Sequence, residues 1–184
     1  MAAMAARVIA TRVFRAWMAA AVLAAGCTSI RPVAPVTAVA EIKNAQDRII
    51  GSATLTQLVD GVRIIVEVRD LSPGLKGVHL HEVGACVPPD FTSAGEHFNP
   101  TRRQHGLMNP AGPHAGDLPN IDVGADRTGR LETTTDRITL GSGSTSLFDF
   151  NGSALVIHAE PDDHATDPDG GAGARIACGS VVKQ

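Results

Sequence analysis

Tyrosine is missing from this 184-residue chain, and with one tryptophan and five phenylalanines the aromatic share is only 3%. That absence by itself points to no function. Helical periodicity is missing too: no stretch repeats apolar residues at the spacing of an amphipathic helix, which leaves helical folds aside. Cysteine is scarce, three residues in all. A disulfide-dense scaffold is therefore excluded, and a chain of single-domain length must rely on a hydrophobic core. Positive charge is in deficit, sixteen Lys and Arg against nineteen Asp and Glu. A polyanionic partner such as DNA is set aside on that ground. The apolar run "AWMAAAVLAA" spans only about ten residues, too few to cross a bilayer as a permanent helix.

What is present begins with that run. Arg7, Arg12 and Arg15 precede or flank it with no acidic residue among them, the pattern of a secretion signal over residues 1–26. The following "LAAGC" resembles a bacterial lipobox, with Ala24 where Leu is usual. It makes Cys27 the expected lipidated N-terminus, membrane-anchored in the cell envelope at the periplasm or outer cell surface. An ordinary signal peptide cleaved nearby is the alternative. The leader holds three of the sixteen basic residues and none of the nineteen acidic ones, so the mature chain is more acidic than the full one. In an exported protein, lipidation of Cys27 leaves Cys86 and Cys178 as an even pair. One disulfide between them is predicted. It would close a loop of about 90 residues, stabilising by roughly 4 to 5 kcal/mol in the chain-entropy model.

Residues 28–40, with two prolines and little charge, read as a tether, and the domain is placed from Glu41 to residue 184. From there short β-branched runs alternate with turn residues: "RIIGSATLTQL", "VDG", "VRIIVEVRDL", "SPG", "LKGVHLHEV", and later "GRLETTTDRITL" and "SALVIHAE". Such a meander argues for an all-β antiparallel sandwich or barrel. Two long segments rich in Gly, Pro, Asn and Asp, 83–121 and 159–174, interrupt it. Loops of that length inside a compact domain are usually functional, and a metal site is a direct way to order them.

The histidines lie where these segments meet the strands. In "HLH", His79 and His81 are two apart and so share one face of a strand. His158, ending "ALVIH", can reach that face from another strand. A lone histidine is more often a hydrogen-bonded structural residue than a ligand, but that reading weakens with each addition. His97, His105, His114 and Asp117 follow in a Gly- and Pro-rich loop, three nitrogens and a carboxylate suited to tetrahedral zinc. On this reading six of the seven histidines are ligands, and His164 is left on the surface.

These motifs resemble the copper/zinc superoxide dismutases in their exported bacterial form. The likeness rests on His79, His81 and Glu82 in HxHE, on His97 in "SAGEHFNP", on His105, His114 and Asp117 in the family's spacing, on "VIHAEPDD", and on "GARIACG" with Arg175 and Cys178. It covers roughly residues 41–182. It implies a Greek-key antiparallel β-sandwich or flattened barrel, immunoglobulin-like, with two long functional loops. His79, His81, His97 and His158 would be copper ligands, and His97, His105, His114 and Asp117 zinc ligands, with His97 the bridging imidazolate. The implied reaction disproportionates superoxide to oxygen and hydrogen peroxide by copper cycling, protecting the envelope. His97 would carry a proton and Arg175 would guide the anion. Asp162 would link His79 to His105 from behind. The span from His158 to Arg175 is shorter than in animal cytosolic enzymes, so no guidance residues carry over within it. A homodimer is allowed, though no dimer patch is readable. The rival reading is a metal-buffering lipoprotein on the same sandwich, against which Arg175 and the complete bridging set speak.

Overall fold

The computed structural model describes residues 34–184. Signal segment 1–26 and Cys27 lie outside the described residues. Nine strands run in chain order: β1 Thr37–Asn44, β2 Ile49–Leu58, β3 Gly61–Val68, β4 Gly74–Lys76, β5 Val78–His81, β6 Ile121–Val123, β7 Gly129–Thr135, β8 Ala154–His158 and β9 Arg175–Lys183. Among the described residues the only helical element is a single 3-10 turn, Thr92–Ala94.

All neighbours are antiparallel, in the order β4-β6-β7-β3-β2-β1-β9-β8-β5. The two end strands, β4 and β5, are consecutive in the chain and separated only by Gly77. The sheet therefore curls into a nearly closed barrel. Four neighbour pairs are non-consecutive in the chain, β4–β6, β3–β7, β1–β9 and β5–β8, and they carry the Greek-key crossings.

Alternation explains the wall. Along β3, Val62, Ile64, Val66 and Val68 are buried while Arg63 and Glu67 face out, the period of two that a one-sided strand requires. On β2 the inward residues are Ile50, Ala53 and Leu55, so the phase slips once. The slip falls where the β1–β2 register shifts between Ile42 and Lys43, a bulge that bends the wall. Ile42, Leu55, Ile64, Leu80, Leu118, Ile121, Leu155 and Ile157 are fully or almost fully buried in one core, each contributing about 1.5–3 kcal/mol by leaving water.

Three expectations change. The domain starts before Glu41, because β1 begins at Thr37 and its Ala38 and Ala40 are buried in the core. Those alanines are too small to mark a strand by hydropathy, and pairing with β2 and β9 defines them instead. "LKGVHLHEV" is not one strand: Gly77 donates to Glu160 O and accepts from His158 N, so the chain switches partner from β6 to β8 there. The segment 83–121 ends in β6, a strand of three residues too short to show a period.

Candidate metal centre

The long segment after β5 does not wander. Leu80 N donates to Gly116 O, Phe98 N to Leu80 O, and Gly116 N to Phe98 O. These bonds fold the loop back along β5 and set His97 beside His81 and Asp117 beside His79 as isolated bridge pairs. The strand thus gathers candidate donors from residues distant in sequence. His158 arrives from β8, which pairs with β5 along His79–Val156.

Four histidines, His79, His81, His97 and His158, bring one ring nitrogen each within 4.8 Å of one another. Three of them are oriented from behind. His79 Nε2 donates to Asp162 Oδ2 at 2.8 Å, His81 Nδ1 to Gly95 O at 3.0 Å, and His158 Nδ1 to Gly173 O at 3.1 Å. With those protons assigned, His79 Nδ1, His81 Nε2 and His158 Nε2 are bare lone pairs. All three are buried with no hydrogen-bond partner. Buried acceptors left unpaired are costly, and three converging together is the arrangement a cation resolves. Burial, then the neighbouring charges, pushes His79 down to about 3, His81 to about 2 and His158 to about 4, outweighing the hydrogen bonds that oppose it. The rings are therefore neutral and able to donate to a metal at any ordinary pH.

The second set is tighter. Asp117 Oδ1 lies 3.2 Å from His97 Nδ1, 3.1 Å from His105 Nδ1 and 3.4 Å from His114 Nδ1, and the last is 3.3 Å from His97 Nδ1. Ligands at about 2.0 Å from a tetrahedral ion sit about 3.3 Å apart, so the edge lengths match. The other carboxylate oxygen, Oδ2, is occupied by the backbone N–H groups of Gly106 and His114. His79 also falls within reach of His97, His105 and Asp117. Its Nε2–H is committed to Asp162, however, and its bare Nδ1 belongs with the first set.

Asp162 ties the sets together. Its Oδ2 accepts from His79 and its Oδ1 from His105 Nε2 at 3.0 Å. With Nε2–H so engaged, a neutral His105 faces Asp117 with a lone pair, acceptor against acceptor. Burial would lower the His105 pKa, but hydrogen bonding to Asp117 and Asp162 outweighs it and raises it to about 9. A proton, or a metal in its place, belongs between them. Both aspartates oppose their own burial through the same hydrogen bonds and are held well below the usual carboxylate range.

His97 and His158 retain slight exposure, 6% and 4%, whereas His79, His81 and His105 have none. The first set is therefore approached from the His97 and His158 side. Half-buried Arg175 lines a cleft there with Pro89, Asp90, Thr92, Gly173 and Ala174. Its Nη1 donates to Phe91 O at 2.9 Å. Phe91 packs with Ala94, Ala154, Val156 and Cys178 in a small cluster that Cys86 joins. The Cys86–Cys178 disulfide closes it.

Some participants carry no sequence signal. The carbonyls of Gly95, Gly173 and Phe91 act through backbone that any residue supplies. Arg137 reaches the Asp117 carbonyl at 2.6 Å. His164 is not a surface residue: its side chain is 19% exposed and rests on Asp162.

A family model described as copper/zinc superoxide dismutase (SODC) matches residues 49–181. The chain is 49% identical over 144 residues to superoxide dismutase [Cu-Zn] 1 of Aquifex aeolicus, covering 77% of this chain and 85% of the relative. It is 42% identical over 148 residues to superoxide dismutase [Cu-Zn] of Caulobacter vibrioides, covering 79% and 85%. A crystal structure of a SOD-like protein from Bacillus subtilis superposes with a TM-score of 0.75 at 38% identity, over 78% of this chain and 97% of that one.

Proposed function

The chain belongs to the copper/zinc superoxide dismutase family, oxidoreductases that use copper and zinc, and from that premise we propose how its two donor sets divide the work. His79 Nδ1, His81 Nε2, His158 Nε2 and the second ring nitrogen of His97, Nε2, would hold copper. His97, His105 and His114 through Nδ1, with Asp117 through Oδ1, would hold zinc. When bound, copper supplies one-electron exchange with superoxide in both directions, and zinc supplies a fixed positive charge without redox chemistry.

The observation that carries this division is His97, which belongs to both donor groups and turns Nδ1 to Asp117 and His114, whereas His79, also within reach of both, has its Nε2–H committed to Asp162. Two superoxide ions and two protons give one oxygen and one hydrogen peroxide. In one half of the cycle His97 Nε2 takes up a proton while Nδ1 keeps its place beside Asp117 and His114. In the other half Nε2 returns that proton to the peroxide product, and solvent supplies the second. Arg175, pinned by Phe91 O, attracts and orients the small anion at the cleft.

The enzyme would act in the cell envelope, anchored through lipid on Cys27 and removing superoxide that arises outside the cytoplasm. The basic and apolar leader before Cys27 supports that placement.

Metal content and superoxide removal, measured on one preparation by cytochrome c competition, test the reading. Full copper and zinc occupancy without activity sinks it. His97→Ala is expected to lower activity by a factor of a hundred or more, on the order of what loss of a proton carrier costs. Absence of radiolabelled fatty acid on the mature chain would remove the anchor and leave a soluble secreted enzyme.

A further inference from the structure

The seventh histidine has no place in either donor set, yet it is built into their shared support. His164 adopts a left-handed backbone conformation, φ 61°, unusual for a residue with a side chain. That conformation turns its own N–H and its ring toward the same carboxylate. The N–H donates to Asp162 Oδ1 at 2.6 Å, and ring Nδ1 lies 3.3 Å from Asp162 Oδ2. Nδ1 is buried and has no hydrogen-bond partner, so at 3.3 Å the ring meets Oδ2 as an off-axis polar contact and not as a hydrogen bond.

The ring's proton can be placed. Asn120 Oδ1 accepts from Asp162 N at 2.9 Å, and its Nδ2 donates to Asp162 O at 2.8 Å. A backbone N–H only donates and a carbonyl only accepts, so the Asn120 amide cannot be flipped. Its Nδ2 also lies 3.2 Å from His164 Nε2, which must then be an acceptor. In a neutral ring the proton is therefore on Nδ1, facing Asp162 Oδ2. Asn120 thus sets the His164 tautomer and clamps the Asp162 backbone at once. The His164 carbonyl is held in turn by Met108 N at 2.9 Å.

We propose that His164 is a positioning residue for the bimetallic centre: with its backbone N–H on one oxygen of Asp162 and its ring packed against the other, it limits the rotation of the carboxylate that joins His79 to His105. An aspartate carboxyl turns easily about its last bond. A backbone hydrogen bond on Oδ1 and a ring, fixed by Asn120, whose Nδ1 side lies against Oδ2 restrict that rotation and keep each oxygen toward its own histidine. The role rests on the donor sets described above, and acts through Asp162 with no contact to substrate. Outer partners of ligand histidines orient the rings and strengthen metal retention.

Two substitutions separate ring donor from backbone. His164→Gly accepts the left-handed conformation and keeps the N–H, but removes the ring. His164→Asn tolerates the same conformation and keeps an N–H donor where Nδ1 stood. Zinc retention against a competing chelator, with NMR of the Nε2–H signals of His79 and His105 in zinc- and copper(I)-loaded protein, reads the effect. His164→Gly is expected to release zinc at about tenfold lower chelator concentration and to show faster solvent exchange of both Nε2–H signals. His164→Asn is expected to stay within about twofold of the natural protein. Unchanged zinc retention in His164→Gly overturns the proposal, and so does an Asn variant as weak as the Gly variant. Zinc bound tightly by the natural protein without dismutation would remove the functional reading and leave this one standing. A natural protein that takes up no zinc overturns both.

Discussion

At the scale of single residues the site is limited by space as much as by donors. Gly170, at φ 66°, passes so close to Asp162 that an added Cβ would sit 1.8 Å from Oδ1 and 2.7 Å from His105 Nε2. Neither neighbour can retreat, because each is held on both sides. Gly170→Ala is expected to destabilise by roughly 2–4 kcal/mol, combining overpacking with left-handed strain, and to weaken zinc retention. Thermal melts with a chelator titration check both, and unchanged retention would show that Asp162 can move. The buried histidines of the two candidate sets also give the metal-free protein a pH signature. His79, His81 and His158 are depressed below 6.5 when folded, so the unfolded chain takes up protons first as pH falls. Their contribution is present above 6.5 and is lost as pH falls toward about 4 and below. His105 is raised to about 9, so its contribution is complete below 6.5 and lost as pH rises through 9. Melting of chelator-treated protein is expected to be weaker at pH 4 than at pH 6.5, and weaker again above pH 9. A flat profile from 6.5 to 4 would contradict the burial of those rings.

Elements decide how the ligands meet. β5 is only four residues long and buried throughout, yet it carries two candidate donors, pairs with β8 beneath a third, and accepts the returning loop that brings His97 and Asp117. The Cys86–Cys178 bond spans 92 residues and ties that loop to β9, the strand that begins at Arg175. It also encloses Phe91, whose carbonyl holds the guanidinium. Paired replacement of both cysteines by alanine is expected to cost about 4–5 kcal/mol through loop entropy, read as a lower urea midpoint. Turnover is expected to fall further than metal content, since the candidate metal donors lie elsewhere, on β5, on β8 and further along the loop. Equal loss of metal and turnover would mean that the disulfide supports the donor sets and not Arg175.

For the whole molecule, the balance of charge opposes the substrate. The chain carries a formal net charge of −3, and superoxide is an anion, so long-range attraction must be local to the cleft. Arg175 sits there with Asp90 opposite in the same cleft. Arg175→Ala is expected to retain both metals while losing about tenfold in kcat/KM at low salt, with a flatter salt dependence than the natural protein. A variant that matches the natural rate at low ionic strength would remove Arg175 from guidance. The barrel makes this geometry possible. Because β5 and β8 are antiparallel neighbours, the two long loops leave the pair at opposite ends, after His81 and after His158, and meet again where Asp162 from one loop holds His105 from the other and His79 of β5.

The sequence by itself determined the strand character and pointed to the candidate donors that the fold brings together, because alternation along a strand and a histidine two places from another are local patterns that survive without coordinates. It also supplied the cysteine pair through parity. Tertiary structure alone decided which nitrogen of each ring is bare, since that depends on what lies behind it: Asp162 for His79, and the carbonyls of Gly95 and Gly173 for His81 and His158. It alone moved the start of the barrel to Thr37, because small alanines become core only when β2 and β9 enclose them. His164 shows the same limit most plainly. In sequence it is one more residue in an acidic loop, and only the fold turns its ring and its backbone onto one carboxylate.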